Sequence, residues 1–136
     1  MDKLIVSLRQ PVLGICLGLQ LMCRHSEEGN TNCLGIFNEG VRLFPASDGK
    51  YKIPQIGWNN IYDYKSVLFH GLTDNAFVYS VHSYFAASGN DTIATTDYVL
   101  PYSAALEKDN FYALQFHPEK SGTVGETILK NFINIS

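Results

Sequence analysis

The sequence has few of the features that mark extracellular, membrane-bound or nucleic-acid-binding proteins. Its three cysteines, Cys16, Cys23 and Cys33, are an odd number and show neither disulfide-framework nor zinc-site spacing. The 10 basic residues are scattered and outnumbered by 13 acidic ones, for a formal net charge of −3, so nucleic acid is not an expected partner. Arg9 and Gln10 interrupt the first apolar run, which is too short for a bilayer and lacks a signal-peptide cleavage site. We therefore expect a cytoplasmic protein with no membrane partner, no metal and no cofactor.

Length and composition indicate one globular domain. The chain has 136 residues, of which 46% are hydrophobic and 17% are charged, values typical of a soluble protein with a core of its own. It contains no internal repeat, low-complexity segment or linker. We therefore expect a single domain over residues 1–136.

The order of the predicted elements indicates an α/β sheet with a β-rich insertion. Residues 2–9 look like the tail of a helix, "VLGIC" is typical of a buried parallel strand, and "LGLQLMCRH" has helical spacing. The middle is β-rich, with a strand, a turn and a strand over "LGIFNEGVRLF" and one long strand over "AFVYSVHSYFAA". "TVGETILKNFINI" is an amphipathic closing helix. Because such a sheet normally opens with a strand–helix–strand unit, we expect its first strands to be missing.

One short motif carries the strongest chemical signal. Gly14-Ile15-Cys16-Leu17-Gly18 has the form G-x-C-x-G, the thiol counterpart of the nucleophile elbow at a sharp strand-to-helix turn. Glycines on both sides would avoid collisions at such a turn, and the helix end would favour a thiolate. The N–H of Leu17 would point at a developing oxyanion. The alternative is a buried core cysteine.

A cysteine nucleophile needs a base, and one of the four histidines stands in a suitable motif. His117 follows the strand-like "YALQF", and Pro118 biases it toward an extended backbone. Side chains two residues apart on an extended segment face the same side, so His117 and Glu119 can share one cleft. An isolated H-P-E would more simply be a solvated turn, but the cysteine elbow makes that alternative less attractive.

Together the two motifs resemble the class I (triad) glutamine amidotransferases. The resemblance implies a flavodoxin-like, three-layer α/β sheet. It also implies that Cys16 is the nucleophile, His117 the acid/base and Glu119 the group that orients His117. The implied reaction is hydrolysis of glutamine to glutamate and ammonia through a γ-glutamyl thioester, with Leu17 in the oxyanion hole.

Further segments match one branch of this family, the glutaminase subunits that supply imidazole glycerol phosphate synthesis. These are "PVLGICLGLQLM", "EEG", "PQIGWNN", "YSVHSYF" and "QFHPEKSG", in that order. The likeness implies a heterodimer with a (β/α)8-barrel cyclase subunit, which receives the ammonia in histidine biosynthesis. The implied contacts to glutamine are Gly18, Gln20, Glu28, His82, Ser83 and Tyr84. The implied partner-interface residues are Pro54, Trp58, Asn59, Tyr79 and Lys120.

Several alternatives stay open at this stage. By residue type alone, Gln20 could be solvated, Glu28 a loop charge, His82 a satisfied strand histidine and Trp58 a core residue. The chain could also serve another acceptor, in a pyridoxal, anthranilate or guanine-nucleotide pathway, or bind its partner without releasing ammonia. The resemblance implies a preceding glycine-rich loop that residues 1–15 do not replace, so we expect these 136 residues alone to fold weakly and to be nearly inactive.

Overall fold

The computed structural model describes residues 2–47 and 49–135. In that part the chain forms three α-helices and ten β-strands. The helices are α1 (Asp2–Val6), α2 (Leu17–Met22) and α3 (Gly122–Ile133). The strands are β1 (Val12–Ile15), β2 (His25–Ser26), β3 (Thr31–Asn32), β4 (Gly40–Leu43), β5 (Gln55–Asn60), β6 (Phe77–His82), β7 (Tyr84–Ala86), β8 (Thr92–Tyr98), β9 (Leu100–Lys108) and β10 (Phe111–Leu114). Among the described residues, no helix is long and apolar enough to cross a membrane.

The larger sheet places the ends of β1 and β10 side by side. Over the described ranges it has eight strands in the order β1-β10-β9-β7-β4-β2-β3, with β8 also paired to β9, while β5 and β6 form a separate pair. β1 runs parallel to β10, with Val12 opposite Phe111 and Ile15 opposite Leu114. Because parallel strands share their carboxyl-terminal edge, the residues that follow β1 and β10 meet there.

Helices cover both faces of this sheet, which confirms the predicted α/β architecture. The alternation of side chains along β10 sends Ala113 into one apolar cluster and Leu114 into another. The first cluster holds Leu19 and Met22 of α2, and the second holds Ile128 of α3. The sheet therefore lies between two helical layers, with α2 directly beside the end of β1.

The strand predicted over residues 34–37 does not form, and the helix predicted up to His25 ends at Met22. The two errors have one cause. The backbone N–H groups of Leu34, Gly35 and Phe37 donate to the carbonyls of Leu21, Cys23 and Met22, respectively. Residues 34–37 thus satisfy the open carbonyls at the end of α2 instead of pairing as a strand. The helix predicted over residues 2–9 likewise stops at Val6.

The long strand predicted over residues 76–87 is interrupted at Ser83. The part before it, β6, pairs with β5, and the part after it, β7, pairs with β4 and β9 in the large sheet. The chain therefore passes from one sheet to the other at Ser83. This crossing places residues 81–84 above the edge where β1 ends, as the lining of the cavity beside Cys16 shows.

Candidate active site

Cys16 occupies a strained turn between β1 and α2. Its backbone has φ 55° and ψ −105°, a conformation that side-chain-bearing residues rarely adopt. Its N–H donates to the carbonyl of Leu114 at 2.7 Å, which ties the turn to the end of β10. A Cβ on Gly14 would lie 2.5 Å from Met22 Sδ and 3.0 Å from the carbonyl carbon of Gly18. Glycine at position 14 therefore lets the helix pack close to the strand.

The second glycine of the motif has no such steric requirement. A Cβ on Gly18 would meet no atom of the chain within 4 Å, and its φ is not positive. The sequence-based argument that both glycines prevent collisions is therefore correct for Gly14 and wrong for Gly18. Gly18 also does not line the cavity beside Cys16.

The surroundings of Cys16 favour the protonated form of its side chain. Burial raises the pKa of the Cys16 thiol, the N–H of Leu17 lowers it, and the charge of Glu119 raises it further, with a raised pKa as the net result. The N–H at the helix end favours the thiolate as expected, but burial outweighs it, so the expected net lowering of the pKa of Cys16 does not occur. A half-buried thiol with a raised pKa requires a base to take its proton before it can act as a nucleophile.

His117 and Glu119 form a hydrogen-bonded pair after β10. His117 Nδ1 lies 3.1 Å from Glu119 Oε2, and the His117 backbone is extended, at φ −94° and ψ 102°. The N–H of His117 donates to the carbonyl of Tyr79 at 2.9 Å, and the hydroxyl of Ser121 donates to the carbonyl of His117 at 2.6 Å. The backbone of His117 is thus held on both sides, and the carboxylate sets the direction of its ring.

Cys16 Sγ and the His117 ring, both described, share no hydrogen bond in this structure. The thiol lies 3.8 Å from the carbonyl of Val81, to which it donates, and 3.7 Å from Nε2 of Gln115. The residues after β1 and β10 share one edge of the sheet, and the thiol of Cys16 is directed there at Val81 and Gln115.

A cavity of about 240 Å³ opens beside Cys16. Five of the six predicted substrate-contact residues line it: Gln20, Glu28, His82, Ser83 and Tyr84. Leu17 and Val81 complete the lining. Segments far apart in the sequence thus converge on one small polar cavity with the cysteine at its edge.

The ring of His82 is engaged inside the protein. Nδ1 lies 2.7 Å from the carbonyl of Tyr84, and Nε2 lies 3.0 Å from the hydroxyl of Tyr102, which in turn lies 2.6 Å from Oε1 of Gln55. Burial lowers the pKa of His82 to about 4, so the ring is neutral at pH 7. With both nitrogens satisfied, His82 offers a ligand its backbone rather than its ring.

Sequence reasoning missed Gln115, whose side chain is 1% exposed and lies between Cys16 and Gln20. Side-chain alternation along the strand gives no signal for it, because residues 115 and 116 bend away after β10 ends.

The predicted interface residues differ in their surroundings. Trp58 is 56% exposed, so the alternative of a core tryptophan is wrong. It lies opposite Tyr79 on β6, with the ring centroids 5.9 Å apart and the planes at 74°. Lys120 is exposed and Pro54 is half-buried. The side-chain amide of Asn59 instead donates to the carbonyl of Asp97 at 2.7 Å.

Comparisons with known proteins show the family of the chain. A family model for the class-I glutamine amidotransferases matches residues 1–135. The chain is 59% identical over 135 residues to the imidazole glycerol phosphate synthase subunit HisH of Bacteroides fragilis (strain YCH46), covering 99% of this chain and 69% of that protein. HisH of Bacteroides thetaiotaomicron is 56% identical, with the same coverage.

A solved structure shows the same fold. A putative GMP synthase protein from Thermoplasma acidophilum superposes with a TM-score of 0.68 at 23% identity, covering 97% of this chain and 60% of that one. By its match to the family model and its identity to the HisH subunits, the chain belongs to the class-I glutamine amidotransferase family.

Proposed function

We propose that this chain is the glutaminase subunit of an imidazole glycerol phosphate synthase, with Cys16 as nucleophile, His117 as acid/base and Glu119 as the group that orients it. One observation carries the proposal: the strained Cys16 turn stands at the edge of a cavity, and the His117–Glu119 pair follows the strand beside it. The high identity to HisH subunits supports the pathway. Hydrolysis of glutamine to glutamate and ammonia is the reaction that this triad suits.

The first half of the reaction forms a thioester. A carboxylate only accepts hydrogen bonds, so Nδ1 of His117 carries the proton toward Glu119 and Nε2 is the free base. Nε2 takes the proton from Cys16 Sγ as the sulfur attacks the carboxamide carbon of glutamine. The N–H of Leu17 donates to the oxyanion that forms. The C–N bond then breaks, His117 returns the proton to the departing nitrogen, and ammonia leaves.

The second half releases glutamate. A water molecule gives one proton to His117 Nε2 and attacks the thioester carbon. The C–S bond breaks, the proton on His117 returns to the Cys16 sulfur, and the thiol is restored. The sum is glutamine plus water giving glutamate plus ammonia.

The cavity lining suits the amino-acid end of glutamine. The exposed carboxylate of Glu28 complements an α-ammonium group. Nε2 of Gln20 is within hydrogen-bonding distance of the carbonyl of Tyr84, at 3.0 Å, and of Oε1 of Gln115, at 3.2 Å. Both of its hydrogens are then used, so Gln20 offers a ligand its carbonyl oxygen. The backbone of Ser83 and Tyr84 is left to bind the α-carboxylate.

The partner in this proposal is a (β/α)8-barrel cyclase subunit that receives the ammonia. The exposed Trp58, packed against the half-buried Tyr79, supports a protein interface on the β5–β6 sheet, because tryptophan and tyrosine are common interface anchors. Lys120, next to the catalytic pair, lies exposed at the same end of the molecule as Tyr79, whose carbonyl accepts from His117.

Glutamate release with and without the cyclase partner and its nucleotide ligand tests the proposal. We expect slow hydrolysis without the cyclase and faster turnover in the liganded complex. Parallel assays with the synthase subunits of pyridoxal, anthranilate and guanine-nucleotide pathways test the other acceptors. Stimulation by one of these and not by the cyclase would overturn the assignment of the partner, and a Cys16→Ala variant that still hydrolyses glutamine would overturn that of the nucleophile.

A further inference from the structure

Gln115 is a buried polar side chain in contact with the nucleophile. It follows β10 directly, its N–H donates to the carbonyl of Ala104 at 2.8 Å, and its side chain is 1% exposed. Its Nε2 lies 3.7 Å from Cys16 Sγ, and its Oε1 lies 3.2 Å from Nε2 of Gln20. A buried amide in such a place needs partners on both ends, and here one partner is the sulfur of the proposed nucleophile.

The neighbouring residues determine which end of the amide faces the sulfur. The carbonyl of Tyr84 can only accept, so the group of Gln20 that faces it at 3.0 Å is the NH₂. The second hydrogen of that NH₂ is directed at Gln115, which therefore presents its oxygen to Gln20. The NH₂ of Gln115 is then left to face Cys16. Tyr84, Gln20 and Gln115 thus form a chain of hydrogen bonds that ends with a donor on Sγ.

A hydrogen-bond donor at this position counteracts the effects that destabilise the thiolate form of Cys16. Burial and the charge of Glu119 both disfavour negative charge on Cys16, and the N–H of Leu17 opposes them. A hydrogen bond to sulfur stabilises the thiolate more than the thiol. The NH₂ of Gln115 adds a second donor beside that of Leu17.

We propose that Gln115, held by Gln20, orients the Cys16 side chain and stabilises its thiolate during attack on the substrate. This inference deepens the proposed glutaminase function and rests on it. In this proposal Gln115 contacts Cys16 and does not contact the substrate glutamine. Loss of the Gln115 amide is therefore expected to lower kcat and to leave KM unchanged.

The pH dependence of Cys16 alkylation tests the inference without any glutamine turnover. The rate of carbamidomethylation by iodoacetamide is followed for each cysteine by peptide mass spectrometry in the wild-type chain and in Gln115→Met, which keeps the side-chain length and removes the donor. We expect the pH midpoint of Cys16 alkylation to rise in Gln115→Met. We also expect the alkylation rate of Cys16 at pH 7 to fall on the order of tenfold, because only the thiolate reacts. Cys33 in the same sample is the internal control, and its profile stays unchanged.

Two further variants keep the test decisive. Gln115→Glu replaces the donor by a carboxylate at equal size, and Gln20→Met removes the group that holds Gln115 in place. We expect a rise in the Cys16 midpoint in both, larger for Gln115→Glu. A wild-type Cys16 profile in variants that melt like the wild type would overturn the inference and leave Gln115 a packing residue.

Failure of the proposed function gives a different result. The complex with the cyclase could release no glutamate while Gln115→Met still raises the pH midpoint of Cys16 alkylation. That result contradicts the glutaminase assignment alone. The wild-type complex could hydrolyse glutamine while the Gln115→Met complex keeps the same kcat and the same pH profile of Cys16 alkylation. That result contradicts the inference about Gln115 alone.

Discussion

The N–H of Cys16 donates to the carbonyl of Leu114 at 2.7 Å, so the turn that carries Cys16 is bonded to the strand that leads to His117. His117 stands three residues after Leu114, beyond a bend at residues 115 and 116. This bond continues the parallel pairing of β1 with β10, which brings together two motifs that lie about a hundred residues apart in the sequence. It is the structural reason why an elbow and an H-P-E segment can form one site.

We expect Cys16→Ala to abolish glutamine hydrolysis, because no other group in the cavity beside it is a thiol. Cys33→Ala is the matched control, since Cys33 lies outside that cavity and its thiol bonds to the carbonyl of Thr31. A glutamine-like diazo-ketone is expected to label Cys16 alone. Mass spectrometry that finds the adduct on Cys33 would contradict the assignment.

His117→Ala is expected to reduce turnover more than Glu119→Gln. The imidazole moves the proton in every step, whereas the carboxylate orients it through one hydrogen bond of 3.1 Å. Losses of about 10³-fold or more are typical for the base of such a triad. Steady-state glutamate release measures both, and a His82→Ala variant with an equal loss in kcat and unaltered KM would show that the wrong histidine was chosen.

Acid sensitivity of the fold is expected to depend on His82. The pKa of His82 is about 4 in the folded chain and ordinarily 6.5. Between these two pH values the unfolded chain therefore binds a proton at His82 that the folded chain does not bind. The contribution is fully present above pH 6.5 and is lost as the pH falls toward 4, by about 3 kcal/mol. Urea unfolding at pH 7 and pH 4.5 measures it.

His82→Gln removes this titration, so its stability should fall less between pH 7 and pH 4.5 than that of the wild type. His70→Gln, at an exposed histidine, is the matched control and should keep the full pH dependence. An equal loss of unfolding free energy between pH 7 and pH 4.5 in His82→Gln and the wild type would contradict the prediction.

Gly14→Ala is expected to destabilise the chain by about 1–3 kcal/mol through overpacking. Its Cβ would collide with Met22 Sδ at 2.5 Å and approach the backbone of Gly18 at 3.0 Å. Gly18→Ala is the matched control, because its Cβ meets no atom of the chain within 4 Å. Thermal unfolding of the two variants should show a lower Tm only for Gly14→Ala, and equal Tm values would mean that α2 shifts freely.

Trp58→Ala is expected to weaken binding to the cyclase by about 2 kcal/mol or more if the residue is an interface anchor. Its Tm should change little, because the side chain is 56% exposed. Val67→Ala, at a residue that is 62% exposed and belongs to neither β5 nor β6, is the control. Calorimetric titration that gives the same Kd for both variants and the wild type would remove Trp58 from the interface.

The local motifs and the main elements were predictable from the sequence. The strand before Cys16, the turn at Cys16, the extended backbone at His117 and the closing helix follow from steric limits and from side-chain periodicity, which act over a few residues. These features were enough to indicate an α/β sheet and the residues of a triad.

Only the tertiary structure decided how distant segments use their hydrogen bonds and which side chains are buried. It showed that residues 34–37 bond to the end of α2, that Gly18 has free space, and that both ring nitrogens of His82 have partners. It also brought Gln115 to Cys16, 99 residues away in the chain. Burial raised the pKa of that cysteine although its position at a helix end favours the thiolate. Desolvation and long-range pairing depend on the whole packed chain, so no local pattern contains them.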